Sequence, residues 1–542
     1  MRFLRYLTAA VSVCSLAYSG SGVNACTNLL VTAGASADGS VMITYTCDGE
    51  FYPHLTVTPA ADHEPGEVVK LWNGAEIAQV PHTYSVVGLI NEHQLVIGET
   101  TFGGREELHN PDGKLEYWDM MHIALQRAKT AREAIQVMTS LVEEYGYAST
   151  GESFSIGDPH EAWILEMIGP GPGGKGALWV ARRIPDGYIS AHANKARISD
   201  FPLDDPENCL YSENVINFAV EKGYYDPSTG KPFSFCDAYC PATPKNQRYA
   251  GARVWSLFRR AAPSLHLSPD YHRAVPGAKP YPLWIKPDKP LSVSDVFALM
   301  RDHYEGTDYD MTKGIDAGPY GNPYRWRPMY WNVDGEEYAW ERPISTQQTA
   351  FSFVSQSRRN LPDAVGGLLW YGLDDTAFTC YMPLYCSITD VPESFRTGGL
   401  DHFSWDSAFW VFNFVSNFAG LKYSYMHKDI VAVQQEIENT FLQLQPAVEQ
   451  TGITLALSNP PLARKFLTDY SVSHADMTVR RWKLLGEYLI RKYNDGYVQK
   501  RPGRPSAVGY PDAWLRRVLR ERPNQYRLPE DPSRLPATER DN

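Results

Sequence analysis

The amino-acid sequence predicts an α+β fold, because strand-like segments come first, two helical segments follow, and strands then resume. That order suits segregated sheets and helices better than an alternating parallel sheet. Aromatic residues make up 13% of the 542 residues, which calls for an extensive apolar interior. Beyond Ser404 the apolar spacing is helical, so a helical elaboration follows the sheet-forming region.

Arg2 and Arg5, the mainly apolar stretch 7–18 and the small-residue pattern Val23-Asn24-Ala25 read as a removable export segment over residues 1–25. Its apolar stretch is shorter than the roughly 20 residues that span a bilayer. The richest run elsewhere, 405–420, is interrupted by Asp406, Asn413 and Asn417, so no transmembrane helix is expected. From Cys26 to about Gly104, segments 29–31, 41–45 and 95–98 read as strands, separated by turn signals at Asp38-Gly39 and Asn91-Glu92. Of the two helices that follow, the second opens with Thr130-x-x-Glu133, a capping box. Its Ala134, Ile135, Met138, Leu141 and Val142 recur at helical spacing.

Strands are expected again at 153–157, 162–167 and 178–182. After Asn194 come Pro-rich, aromatic connections at 241–244, 263–290 and 318–328, the kind that run over a surface and wall a site. Further strands are expected at 348–356, 366–371 and 377–382, and helices at 405–418, at 428–445 with Pro446 as the stop, and at 477–494. No internal repeat appears. The organisation expected is an export segment (1–25), one main domain (26–420) and a helical extension packed on it (421–542).

The formal net charge is −12, or −14 without Arg2 and Arg5. An acidic chain lacks the clustered Lys and Arg that nucleic acid requires. Eight cysteines include Cys14 in the export segment. The Cys236/Cys240 and Cys380/Cys386 spacings would close small loops, so one or two disulfides at most are expected in an exported chain. Neither spacing, nor Asp374-Asp375, forms a metal framework. No metal or organic cofactor is called for. A homo-oligomer is compatible with the composition.

Cys26 is the residue to explain. If cleavage falls just before it, one residue carries both a thiol, with an ordinary pKa of about 8.5, and an α-amine of about 7.7 to 8.0, so base and nucleophile coincide. A lipoprotein signal also ends at a cysteine, and lipidation would block both groups. That rival makes the chain a ligand-binding surface lipoprotein. Attack on an amide carbonyl needs donors for the oxyanion. Asn91 and Asn194 stand at the ends of strand-like runs and suit that role, although turn formation is the plainer role of an Asn in such places.

Several separated motifs then point one way: Cys26-Thr27-Asn28, 35–40 (Ala-Ser-Ala-Asp-Gly-Ser), Asn91-Glu92, 98–105 (Gly-Glu-Thr-Thr-Phe-Gly-Gly-Arg), 162–166 (Ala-Trp-Ile-Leu-Glu), Arg253-Val254-Trp255, Gln347-Gln348-Thr349 and 371–376 (Tyr-Gly-Leu-Asp-Asp-Thr). Together they resemble the dipeptidase A family of cysteine peptidases. Those are N-terminal nucleophile hydrolases, distantly related to bile salt hydrolases and penicillin V acylases. The resemblance implies a four-layer αββα sandwich, with dipeptides or small amides as substrates. It carries over Cys26 as nucleophile, Asp48 as the acid that orients it, Asn91 as oxyanion donor, Asn194 as donor or amine partner, and Arg253 as a pocket arginine. An acylase acting on N-acyl amino acids or bile-salt-like amides would use the same constellation. One departure stands out: many relatives carry an arginine where this chain has Tyr45. A nearby cation lowers a thiol pKa and a phenol does not, so Arg105 or Arg253 is expected to reach in. Cys47, beside Asp48, reads as a buried apolar-type cysteine.

Overall fold

The computed structural model describes residues 26–49, 51–501 and 503–529. The expected export segment lies outside the described residues. The first strands are β1 (Asn28–Val31), β2 (Met42–Asp48), β3 (Val57–Thr58), β4 (Val86–Val87), β5 (Ile90–Asn91) and β6 (Val96–Gly103). Helices α1 (Tyr117–Arg127) and α2 (Ala131–Tyr145) follow. Next come β7 (Gly151–Gly157), β8 (Ala162–Ile168), β9 (Leu178–Arg183), β10 (Ile189–His192) and β11 (Cys209–Tyr211). The chain continues through α3 (Ala252–Ala261), β12 (Trp284–Ile285), α4 (Val293–Met300), β13 (Thr349–Gln356), β14 (Leu368–Leu373) and β15 (Met382–Tyr385). Three helices, α5 (Ala408–Ala419), α6 (Tyr423–Ser458) and α7 (Pro460–Tyr493), end the main body.

Seven strands form one sheet, in the order β12-β10-β1-β2-β13-β14-β15, and eight form another, β11-β9-β8-β7-β6-β5-β4-β3. Neighbouring strands in both are antiparallel. β1 and β2 lie against β6 and β7 of the other sheet. All seven residues of β2 are buried, because a strand covered on both faces has no solvent side. Two glycines mark close approaches of the sheets: a Cβ on Gly157 would lie 2.8 Å from Ile43 Cγ1, and one on Gly98 3.1 Å from Tyr45 Cβ. On the outside, α1 and α2 pack on β5 to β8, while α3, α4, α5 and α7 pack on β10, β13, β14 and β15.

The α2 cap is half of the expected box. Thr130 accepts from the Glu133 amide, but the Glu133 carboxylate takes the amide of Lys129 instead. Two expectations fail outright. Pro446 does not stop its helix, which runs from Tyr423 to Ser458. An interior proline costs about 3 kcal/mol, and packing of α6 along α7 and against β15 offsets it. The segment 377–381 is turn and loop rather than strand. Among the described residues no disulfide forms, and Cys236, Cys240, Cys380 and Cys386 are all buried thiols.

Candidate active site

Cys26 lies two residues before β1, which is held on one side by β10 and on the other by β2. Its neighbour Thr27 bridges Thr46 of β2: the Thr27 amide donates to Thr46 Oγ1 at 2.9 Å, and the Thr46 amide donates to Thr27 O at 3.2 Å. The cysteine is thereby fixed at the end of a central strand.

Two side chains meet its thiol and carbonyl, Glu99 and Arg253, and each is held by a further side chain. Sγ lies 3.6 Å from Glu99 Oε1, and the same oxygen accepts from the Tyr45 hydroxyl at 2.6 Å. Burial pushes the Cys26 thiol well above its ordinary pKa, and the charges of Glu99, Cys47 and Asp48 push the same way. The thiol is therefore protonated at neutral pH. On the carbonyl side Arg253, projecting from α3, donates through Nη1 to Cys26 O at 2.7 Å and Thr27 Oγ1 at 3.0 Å, and through Nη2 to Asn194 Oδ1 at 2.8 Å. Its Nε donates to Tyr249 O at 3.1 Å, and Nη2 also reaches Ala193 O at 3.4 Å. Burial, then the charge of Arg342, lowers the Arg253 pKa to about 10, which leaves it charged at neutral pH.

Asn194 follows β10 in a left-handed conformation, φ 55°, and donates through Nδ2 to Thr101 O at 2.7 Å. Asp48 ends β2 and accepts from Arg342 Nη2 and Thr349 Oγ1, each at 2.6 Å, and from Thr46 Oγ1 at 3.1 Å. Thr46 thus ties the Asp48 carboxylate to the backbone of Thr27. The structure brings together Cys26, Asp48, Asn194 and Arg253. Of the two arginines expected to replace the missing one, Arg253 is here and Arg105 is not. Arg105 stacks on the Tyr224 ring at 3.8 Å and donates to Ala238 O.

Asn91 has a different job from the one expected. Its Nδ2 donates to Leu125 O at 2.8 Å and Ala128 O at 2.7 Å, so both amide protons are spent closing the end of α1. Its Oδ1 accepts from the amides of His93 and Leu95. This is the turn-forming Asn, with no donor left for an oxyanion. Asp374 and Asp375 are likewise taken up by protein donors: Asn413 and Ser416 serve the first, Ser345 and Tyr324 the second.

The residues missed from sequence are Arg342, Glu99 and Glu152. Thr101 of β6 pairs with Glu152 of β7, so Glu99, two residues before Thr101, shares a sheet face with Glu152. The two carboxyls contact each other, both are 1% exposed, and Oε2 of each has no hydrogen-bond donor. A glutamate inside the strand-like run Val96-Ile97-Gly98-Glu99 was the one available signal.

The description of Peptidase family C69 matches residues 69–436. A "Probable dipeptidase" of Latilactobacillus sakei is 27% identical over 396 residues, 69% of this chain and 76% of that one. A "Probable dipeptidase" of Salmonella dublin is 27% identical over 405 residues, 70% of this chain and 84% of its own. A "Probable dipeptidase A" of Streptococcus pyogenes is 25% identical over 430 residues, covering 75% and 85%.

Proposed function

Because the chain belongs to peptidase family C69, we propose that it is an exported dipeptidase whose nucleophile is the Cys26 thiol, freed together with an α-amine when residues 1–25 are removed. The observation that carries this is the convergence of Arg253, itself held by Asn194, and the Asp48–Thr46 pair on the backbone of residues 26 and 27. Two stacked antiparallel sheets with helices on their outer sides support the αββα architecture of N-terminal nucleophile hydrolases.

In this reading the resting thiol is neutral and needs a base. The new amine, with an ordinary pKa of about 7.7 to 8.0, takes its proton as sulfur attacks the dipeptide carbonyl carbon. Arg253 holds the Cys26 carbonyl so that thiol and amine keep their mutual orientation. Asn194 is the side-chain amide of the cluster and takes the oxyanion role left open by Asn91. Collapse breaks the peptide C–N bond, and the leaving amine receives the proton from the Cys26 ammonium. Water then cleaves the thioester by the reverse assignment, and two amino acids are released.

The test is the first residue and intact mass of the protein isolated from its native host, together with Cys26→Ala and Cys26→Ser. The expected results are a free cysteine at position 1 of the mature chain, no dipeptide hydrolysis by Cys26→Ala, and residual hydrolysis by Cys26→Ser. A mature chain that begins elsewhere, an acylated Cys26, or wild-type rates in Cys26→Ala overturns the proposal.

A further inference from the structure

From the juxtaposition of the Glu99–Glu152 carboxyl pair with the Cys26 thiol, we infer that this pair is the subsite for the free α-ammonium of the substrate, so that the enzyme cleaves the bond after an unblocked N-terminal residue. The inference rests on the dipeptidase reading and names the group by which the substrate is recognised.

Position argues first. In a dipeptide the ammonium nitrogen is two bonds from the scissile carbonyl carbon, the atom that sulfur attacks. A carboxylate oxygen 3.6 Å from Sγ is therefore within hydrogen-bond reach of that nitrogen when sulfur and carbon are at attack distance, about 3 to 3.5 Å. Blocking the nitrogen with an acyl group would remove its charge and place bulk against the pair.

Charge argues second. Among the described residues neither Glu99 nor Glu152 forms an ion pair, although both are buried. A buried carboxylate without a cation is costly, and each Oε2 is without a donor. The arginines nearest the cysteine are committed elsewhere: Arg253 to Cys26 O and Asn194, Arg342 to Asp48. Burial first, opposed by hydrogen bonds for Glu99 and reinforced by Glu99's charge for Glu152, raises both carboxyl pKa values. Contacting carboxyls resist ionising together. An ammonium set against the pair relieves that repulsion and gives the two open Oε2 atoms a donor. The Tyr45 hydroxyl, by donating to Glu99 Oε1, steers the open Oε2 toward the partner carboxyl. A phenol there leaves the pair's charge unspent, which an arginine at position 45 would neutralise.

The experiment compares the best free dipeptide of a panel with its Nα-acetyl derivative and its des-amino analogue, in the mature enzyme and in Glu152→Gln. The wild type should prefer the free dipeptide by at least a hundredfold in kcat/KM. In Glu152→Gln the ratio of free dipeptide to des-amino analogue should fall at least tenfold, and one iodoacetamide-reactive Cys26 per chain certifies that the variant is folded. If Glu152→Gln does not fold, Glu152→Asp, which keeps the carboxyl but draws it back from the site, takes its place with the same expected fall in the ratio. Equal hydrolysis of free and acetylated dipeptides overturns the inference and leaves the dipeptidase reading standing. An unchanged ratio in a folded Glu152→Gln overturns it too. Cleavage of acyl amides with no cleavage of any dipeptide sinks the dipeptidase reading itself.

Discussion

Arg253→Lys tests whether the guanidinium sets the position of the nucleophile. The arginine serves acceptors on three separate elements: Tyr249 O in its own helical segment, Cys26 O and Thr27 Oγ1 at the start of the first sheet, and Asn194 Oδ1 after β10. A lysine keeps the charge but has a single nitrogen, which cannot reach Cys26 O and Asn194 Oδ1 together. At least two charge-assisted hydrogen bonds are lost, each worth about 1.5 to 3 kcal/mol. The expected loss of stability is roughly 3 to 6 kcal/mol, with the site wholly buried and water unable to fill in. Turnover suffers through geometry: with its carbonyl untethered, Cys26 drifts, and a displacement of about 1 Å costs on the order of a hundredfold in rate.

The assay is urea unfolding followed by tryptophan fluorescence, with kcat and KM measured separately on a free dipeptide. The loss should fall in kcat and leave KM within about threefold, since this arginine acts on the enzyme's own backbone rather than on substrate. A variant within about 1 kcal/mol of wild type in stability and within about twofold in kcat refutes the reasoning. A rise in KM with kcat unchanged would instead make Arg253 a reader of the substrate carboxylate.

Asn91→Ala should cost about 2 to 4 kcal/mol, because the buried carbonyls of Leu125 and Ala128 lose their donors, while kcat per folded molecule stays within about twofold; a hundredfold drop in kcat would return Asn91 to the oxyanion. Arg342→Leu leaves Asp48 buried with hydroxyl donors only, and should destabilise by about 3 to 5 kcal/mol, largely recovered in Asp48→Asn/Arg342→Leu. Denaturation midpoints that show no recovery would mean the ion pair is not what holds β2 to the arginine. His192, set between Thr100 Oγ1 and Ser155 Oγ at 2.7 Å each, has its pKa lowered to about 3 by burial and then by Arg197. The folded protein keeps this ring neutral while the unfolded chain protonates it below about 6.5, so its contribution is complete above pH 6.5 and is lost as pH falls toward 3. Relative to wild type, His192→Gln should flatten the fall in stability between pH 6 and 4 by about 1.4 kcal/mol per pH unit; parallel curves for the two proteins would refute the assignment.

Periodicity made most of the sheet legible. The segments of β2, β6, β7 and β8 are rich in β-branched and aromatic residues, and a strand buried on both faces needs little else. The segment 377–381 has the same composition and fails as a strand, because Asp375 turns the chain: its carboxylate accepts from the Ala377 amide at 3.1 Å, and its carbonyl from the Thr379 amide at 2.7 Å. A local side-chain bond competes with the ladder and wins. At Pro446 the error runs the other way, since local propensity was overruled by packing that the sequence does not display. Within the site, Cys26 was readable because its chemistry follows from its place in the chain. Arg342 was not readable, because its partner Asp48 is 294 residues away and an arginine before Pro343 carries no signal of its own.

The exchange of arginine for Tyr45 then acquires a physical meaning. A cation at that position would favour the thiolate and also neutralise Glu99. Here the phenol does neither: it donates a hydrogen bond to Glu99, the carboxyl pair stays without a cation, and the thiol beside it is held protonated. Burial is the larger cause of the raised thiol pKa and the charge of Glu99 the next. In the proposed reaction the substrate's ammonium, on docking at Glu99 and Glu152, offsets the second of these, and the α-amine of Cys26 takes the thiol proton. Activation then depends on the group being recognised, and alkylation of Cys26 should be faster with a free amino acid bound than with its Nα-acetyl form.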